Sequence, residues 1–511
     1  MVVENPGKTP AGRLRVARNH PPNAAGLGVV YWMTAARRVR WNFALDRAIG
    51  WAKLLNKPLV VVEVLTCGGR WDSDRSHRFV LQGMGDTAKQ LSQRPVLYHP
   101  YVESRPGESQ AFFEAVCRQA CVVVTDDHPT APAVPSDSEG AAVRVEAIDG
   151  VGLLPMRAAS EAFPTAYAFR RFLQRVLREH LLDAPQPDPF TNKDLPRLAS
   201  LPPALARRWP AAPPELLSGE PSRVAKLPID HGVAVVSTEG GSTAAQARWR
   251  SFLASALASY PELRNHPDAE STSGLAPYLH FGHISTHEIF HDLAQQEAWT
   301  PAKLADKASG GRQGWWGMSE AAEAFLDQLV TWRELGFNAC AHRSDYAEYA
   351  SLPSWAKATL AKHARDRRLT IYRLEQFASA RTHDPLWNAA QRQLVSEGRL
   401  HNYLRMLWGK KILEWTPRAE EALDVMIALN NRYALDGQDP NSYSGIFWIL
   451  GRYDRPWGPE RPIFGTVRYM SSENTARKVR VAQYLQRYSE EALGWSRASA
   501  GEPPTRGGKR S

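Results

Sequence analysis

A chain of 511 residues, 43% apolar and 23% charged, has the composition of a folded globular protein and is too long for one ordinary core. No apolar run reaches the ~18 residues of a membrane helix, and the opening MVVENPGKTP carries no secretory leader. Cys67, Cys117, Cys121 and Cys340 show no CxxC pairing, which argues against a disulfide framework or a structural zinc and for the reducing interior of a cell. The net charge of +10 favours a polyanionic partner.

Residues 1–24 are expected as a flexible lead. Over 25–183, GVVYWM (28–33), PLVVVEVL (58–65), PVLYH (95–99), CVVVTD (121–126) and VRVEAID (143–149) read as buried strands. Amphipathic helical segments lie between them near 38–56, 74–93 and 108–120, an alternation that predicts a doubly wound parallel sheet. No GxGxxG follows the first strand and no GxxxxGK[ST] occurs, so the sheet does not declare a nucleotide. Residues 184–241 read as a linker, with eleven prolines between 184 and 230. Helical periodicity without strands fills 242–492, and 493–511 reads as a disordered tail. The plan is an α/β domain, a long linker and an all-helical domain, with no internal repeats.

Four constellations bear on chemistry. HEIFH (287–291) matches the HExxH zinc signature, but no third ligand follows at a recognised spacing, so no metal is expected. In ESTSGLAPYLH (270–280), hydroxyls precede Pro277 at a helix start, a pattern open to reading as an anion cradle or an ordinary cap. DGQDPN (436–441) is a dense turn, and Arg405 upstream offers its Asp436 a partner beside a planar ligand. Ten of the seventeen tryptophans lie between Trp299 and Trp457. Trp408 and Trp415, seven apart in LRMLWGKKILEW, share one helix face about 10 Å apart along the axis, where packing is the default role.

THDPLWNAAQ (382–391), HNYLRMLWGKKILEWT (401–416), LNNRYALDGQDPNSY (429–443) and ERPIFGTVRYM (460–470) resemble the class II cyclobutane pyrimidine dimer photolyases, as does VVYWM followed by RVRWNFAL. The resemblance implies a Rossmann-like domain joined to a helical FAD domain. It implies that Thr272, Ser273, Gly274 and Leu275 hold the FAD pyrophosphate, with Tyr260, Arg264 and Asn265 nearby. Arg405 and Asp436 would pair against the flavin, and Asn430, or Asn441 as second candidate, would face its N5. Trp408, Trp387 and Trp415 would relay electrons to the photo-excited flavin, so conduction is the role now expected of them. Trp448 and Trp332 would flank a flipped-out dimer, and Arg455, Trp457 and Arg468 would engage the DNA around the gap.

The resemblance further implies light-driven splitting of dimers by an electron from reduced FAD, on UV-damaged DNA of any sequence. An antenna chromophore, commonly a deazaflavin, often accompanies the family, and no residue pattern identifies one here. A monomer is expected, away from membranes, in the cytoplasm of a bacterium or the nucleus of a eukaryote. Two departures stand out. Gln328 occupies the place of a glutamate that hydrogen-bonds the dimer, and Ala276 replaces a usual serine. Gln328 motivates the alternative of a cryptochrome-like light sensor without repair.

Overall fold

The structure, a computed structural model, describes residues 6–7, 9–130, 142–191 and 194–496. Six strands form one sheet in the order β1-β6-β5-β2-β3-β4. These are β1 (Leu14–Arg18), β2 (Val29–Met33), β3 (Leu59–Leu65), β4 (Leu97–Val102), β5 (Val122–Asp126) and β6 (Arg144–Ile148). All pairings are parallel except β1 with β6.

The strands β2, β3 and β5 are apolar throughout because both sheet faces are covered. Val29, Tyr31 and Met33 pack with Val61 and Val124 beneath the helix Phe43–Leu55. Their neighbours Val30 and Trp32 point the other way, onto Phe112, Phe113 and Val116 of the helix Glu108–Cys117. Asn42 starts the first of these helices by accepting from the amides of Ala44 and Leu45, and Asn56 ends it in the left-handed region at φ 49°.

Three boundaries differ from the sequence expectation. The lead of 1–24 contains β1, which pairs with β6 although LRVAR looks unlike a core strand; its long-range partner supplies the ladder. Residues 1–5 and 8 lie outside the described residues. The expected linker is built structure. Its prolines start the short helices Pro203–Arg208, Pro214–Leu217 and Pro221–Val224, where a missing N–H costs nothing. Phe190 and Leu195 seal one sheet face, while Leu201, Leu205 and Trp209 seal the other. At the far end the last helix, Glu490–Leu493, crosses the expected tail boundary, and Trp495 donates to Ser379 O at 3.1 Å. The remainder of the tail, 497–511, is outside the described residues.

From Ser242 the chain is helical. Among the described residues no helix is long and apolar enough to cross a membrane. One core packs the helices Pro385–Glu397, Asn402–Glu414 and Ala419–Tyr433. A second joins the helix Ala166–His180 to Phe252, Ile289 and Phe325.

The two halves meet at a buried cation. Arg75, in the helix Asp74–Leu91, donates to the carbonyls of Ala234, Leu394, Val395 and Tyr433. Three of those carbonyls belong to the final turns of Pro385–Glu397 and Ala419–Tyr433, where the helix dipole favours a cation. Replacing it strands several buried acceptors, at about 1–3 kcal/mol for each one left unpaired. Arg75→Ala is therefore expected to lower the unfolding free energy by at least about 3 kcal/mol, read as a lower urea midpoint. A midpoint within error of the parent would remove this role.

Candidate active site

A cavity of about 810 Å³ opens in the helical half. That volume suits a large organic cofactor with room beside it. Tyr260, Arg264, Asn265, Thr272, Ser273, Gly274 and Leu275 line it, together with Gln328, Trp332, Arg405, Asp436, Asn441, Trp448, Trp457 and Arg468. A smaller cavity of about 120 Å³ adjoins it, sharing Tyr260, Ser273, Leu275, Gln328, Asp436 and Asn441. Chain segments up to 200 residues apart thus converge on one space.

The Thr272–Leu275 turn lies just before the short helix Ala276–His280. Arg248 donates to Ser273 O at 2.7 Å and to Thr272 O at 3.1 Å, tying down the carbonyl side of the turn. Among the described residues, the amides of Thr272, Ser273 and Gly274 find no acceptor within the chain. Backbone donors left free beside a cationic side chain form a cradle for an anion such as a pyrophosphate. Gly274 has φ +67°, and an added Cβ would meet the Arg248 guanidinium at 2.8 Å. Ala276 lines the same wall without a hydroxyl to add.

Arg405 reaches across to Asp436 at 3.8 Å, and its Nη1 donates to Asn430 Oδ1 and Ser442 Oγ, both at 3.2 Å. Asn430 is buried behind this guanidinium and outside the lining; its Nδ2 is committed to Asn431, Gly437 O and Ser442. Asn441 is the amide on the cavity wall. His401 also lines it, and burial pushes its imidazole down to about 4, with Arg399 and His266 adding to the effect, so it is neutral at physiological pH.

The chain forms a π-helical turn at Asp327–Trp332. Such turns re-aim side chains and cluster at functional sites. Here Gln328 and Trp332 reach the cavity, while Asp327 pairs with Arg170 at 2.8 Å. The rings of Trp332 and Trp448 touch, with centroids 5.0 Å apart and planes at 31°. Both line the cavity, so they present one continuous aromatic surface to it. Trp457 lies between two guanidiniums, Arg468 at 4.0 Å and Arg455 at 4.5 Å from its ring. Arg455 is exposed and outside the lining.

The three tryptophans expected to relay electrons are buried, and none of them lines the cavity. Trp387 and Trp408 are parallel within 3° with centroids 6.5 Å apart, and Trp387 touches Trp415 at 5.9 Å. Trp387, from the neighbouring helix, therefore bridges the pair that spacing alone set on one helix face. The Trp387 indole donates to Trp408 O at 3.0 Å and that of Trp408 to Gln391 at 2.8 Å. Beyond Trp415 lie Tyr372 and the exposed His383, at 5.5 and 5.0 Å.

HEIFH does not gather as a ligand set. His287 sits edge-on to Phe43 and 3.4 Å from Arg13, and burial holds it neutral. Glu288 accepts from Gln246 at 2.7 Å, and His291 packs on Trp41. His287 and His291 thus join the two halves of the protein. Residues that sequence reasoning missed include Arg312, Arg399, Arg461 and Lys478, all on the cavity wall; isolated cations in loops or at a helix end carry no periodic signal.

No protein-family model matches the chain. It is 34% identical to the deoxyribodipyrimidine photo-lyase of Methanothermobacter thermautotrophicus, over 93% of this chain and 98% of the relative. It is 33% identical to that of Oryza sativa subsp. japonica, covering 92% and 89%, and 31% identical to that of Potorous tridactylus, covering 90% and 81%. A crystal structure of a bacterial class III photolyase from Agrobacterium tumefaciens shares the fold, with a TM-score of 0.63 over 94% of this chain and 89% of that one, at 16% identity. The chain belongs to the photolyase/cryptochrome family. Within it, the curated relatives are lyases, and FAD is the cofactor the family implies.

Gly274→Ala places a side chain in the left-handed region at about 1–2 kcal/mol. It is expected to reduce flavin retained per chain, read from visible against 280 nm absorbance, with little change in far-UV circular dichroism. Full retention would mean the turn does not hold the dinucleotide.

Proposed function

We propose that this protein splits cyclobutane pyrimidine dimers in DNA by light-driven electron transfer. The observation that carries the reading is a single cavity joining an anion cradle, an Arg405 cation and an aromatic wall, with a chain of touching indoles beside it. The chemistry a reduced flavin supplies when bound there is light-driven donation of one electron, returned once the ring has opened.

The chain's own residues do the rest. Thr272–Leu275 fix the dinucleotide through backbone donors. Arg405 would put positive charge on the wall that receives the flavin and would favour an anionic reduced form, and Asn441 would offer a neutral amide on that wall while Asn430 holds the guanidinium in place. A dimer is poorly stacked in its duplex, so extruding it costs less than extruding an intact base. The Trp332–Trp448 surface replaces the lost stacking, at roughly 1–3 kcal/mol per base. Arg455 and Arg468 grip the backbone, with Trp457 held between them, without reading sequence, as repair of randomly placed damage requires. Gln328, whose side chain has no hydrogen-bond partner among the described residues, can donate to a dimer carbonyl and accept from a ring N–H, but it carries no charge.

Trp408 stands three residues beyond Arg405, at the inner end of the indole chain. An electron enters at Trp415, passes through Trp387 and leaves Trp408 toward the cavity. Dense packing and conduction ask for the same contacts, so one set of side chains serves both.

The decisive measurement is dimer content in a UV-damaged oligonucleotide illuminated with the reduced protein. Loss of dimers is expected; retained dimers with bound, photoreducible flavin would favour the light-sensor reading that Gln328 motivates. Trp387→Phe should stop photoreduction of the oxidised protein while sparing repair by protein reduced with dithionite. Equal loss of both would make the tryptophan structural. Trp448→Ala should weaken lesion-bearing DNA by about 1–3 kcal/mol in a competition titration and leave undamaged DNA unaffected.

A further inference from the structure

The segment after the helix Thr286–Gln296 runs out to a glycine-rich tip, SGGRQG (309–314), and returns to the helix Glu320–Leu326. Its root is anchored. Trp315 and Trp316 are buried, and the Trp299 indole donates to Trp316 O at 2.6 Å. The buried Glu323 carboxylate accepts from the amides of Gly314 and Gly317.

The tip is held too. Gln174 accepts from Gly310 N at 2.7 Å and donates to Gly311 O at 3.0 Å, and Arg170 donates to Gly310 O at 3.3 Å. Gly310 and Gly314 turn the backbone at φ +74° and +82°. Gln313 is engaged with Glu320 at 3.0 Å. What remains is Arg312, exposed, on the cavity wall, and without an acidic partner among the described residues. Ordering a loop this thoroughly is costly, and the result presents one guanidinium to the cavity.

A planar, five-donor cation with no partner suits a phosphate. We propose that Arg312 binds a backbone phosphate of the DNA strand carrying the lesion. Two phosphate sources are chemically alike here, the phosphodiester of DNA and the pyrophosphate of the cofactor. The anchoring favours DNA. Arg170 holds the tip and, through Asp327, the π-helical turn bearing Gln328 and Trp332, so this finger and the lesion-facing side chains form one body. The turn Thr272–Leu275 has its own guanidinium in Arg248. The proposal rests on reading the cavity as the lesion pocket.

Full-length Arg312→Ala and Arg312→Lys, each loaded with FAD, would be titrated by fluorescence anisotropy against lesion-bearing and undamaged duplexes over a potassium chloride series. Arg312→Ala should bind both duplexes about three- to tenfold more weakly. The slope of log affinity against log salt should become shallower by about 1, the signature of one lost phosphate contact. Arg312→Lys should restore the slope with only part of the affinity. Flavin per chain should stay at the parent value in both. Lost flavin with unchanged DNA binding would reassign Arg312 to the cofactor, and no change in either would end the idea. A failure of repair in the parent protein leaves this readout standing, because the salt slope is measured on undamaged duplex as well.

Discussion

The arrangement depends on the Arg75 guanidinium. It stands buried between the sheet domain and the helical half, with no carboxylate against it among the described residues; burial lowers it to about 10, so it stays charged at neutral pH. Its stabilisation comes from carbonyls at the ends of two helices, one bearing Trp387 and the other Asn430. A buried charge solvated by helix ends is directional. It fixes where those helices stop relative to the sheet, and through them the position of the indole chain and of the amide behind Arg405. Arg432 reinforces the seam by pairing with Asp230 of the connector at 2.6 Å.

That seam explains why the indole chain has so little freedom. Each inner indole spends its N–H on a buried acceptor, Trp387 on Trp408 O and Trp408 on Gln391. A rotamer change would strand a donor and open a void, both costly in a packed interior. The near-parallel rings follow from these bonds and from the packing of Leu404, Ile412, Met426 and Ile449 about them. Ring contacts of 5.9 and 6.5 Å are how large aromatics fill a core, and the same contacts would serve the proposed electron relay.

Legibility in the sequence tracked the locality of the signal. The central strands were readable because two-sided burial forces unbroken runs such as LVVVEVL. β1 was not, since an edge strand with two arginines becomes a strand only by pairing with residues over 120 positions away. The short helices of the connector are hard to foresee because proline, a breaker inside a helix, is a starter at a first helical turn. Heptad-like spacing brought Trp408 and Trp415 together but could not reveal Trp387 between them, a contact made only when separate helices pack. The cavity residues borne by long motifs were found. Arg312 was missed because its importance lies in the anchoring of its neighbours.

The wall around Trp457 shows the same logic in electrostatic form. Asp454 places a negative charge on a surface proposed to meet phosphates, which by itself would oppose binding. Yet its carboxylate accepts from the Trp457 indole at 3.0 Å and from Arg468 at 3.1 Å. Burial alone would raise this carboxyl, and those donors outweigh it, leaving it below the usual range. The acid therefore stays charged and holds the indole and guanidinium stacked before any strand arrives. Two mobile side chains that would otherwise lose about 0.5–1.5 kcal/mol each on immobilisation are already ordered. The repulsion is confined to one carboxylate that Arg468 has largely neutralised, so preorganisation outweighs it.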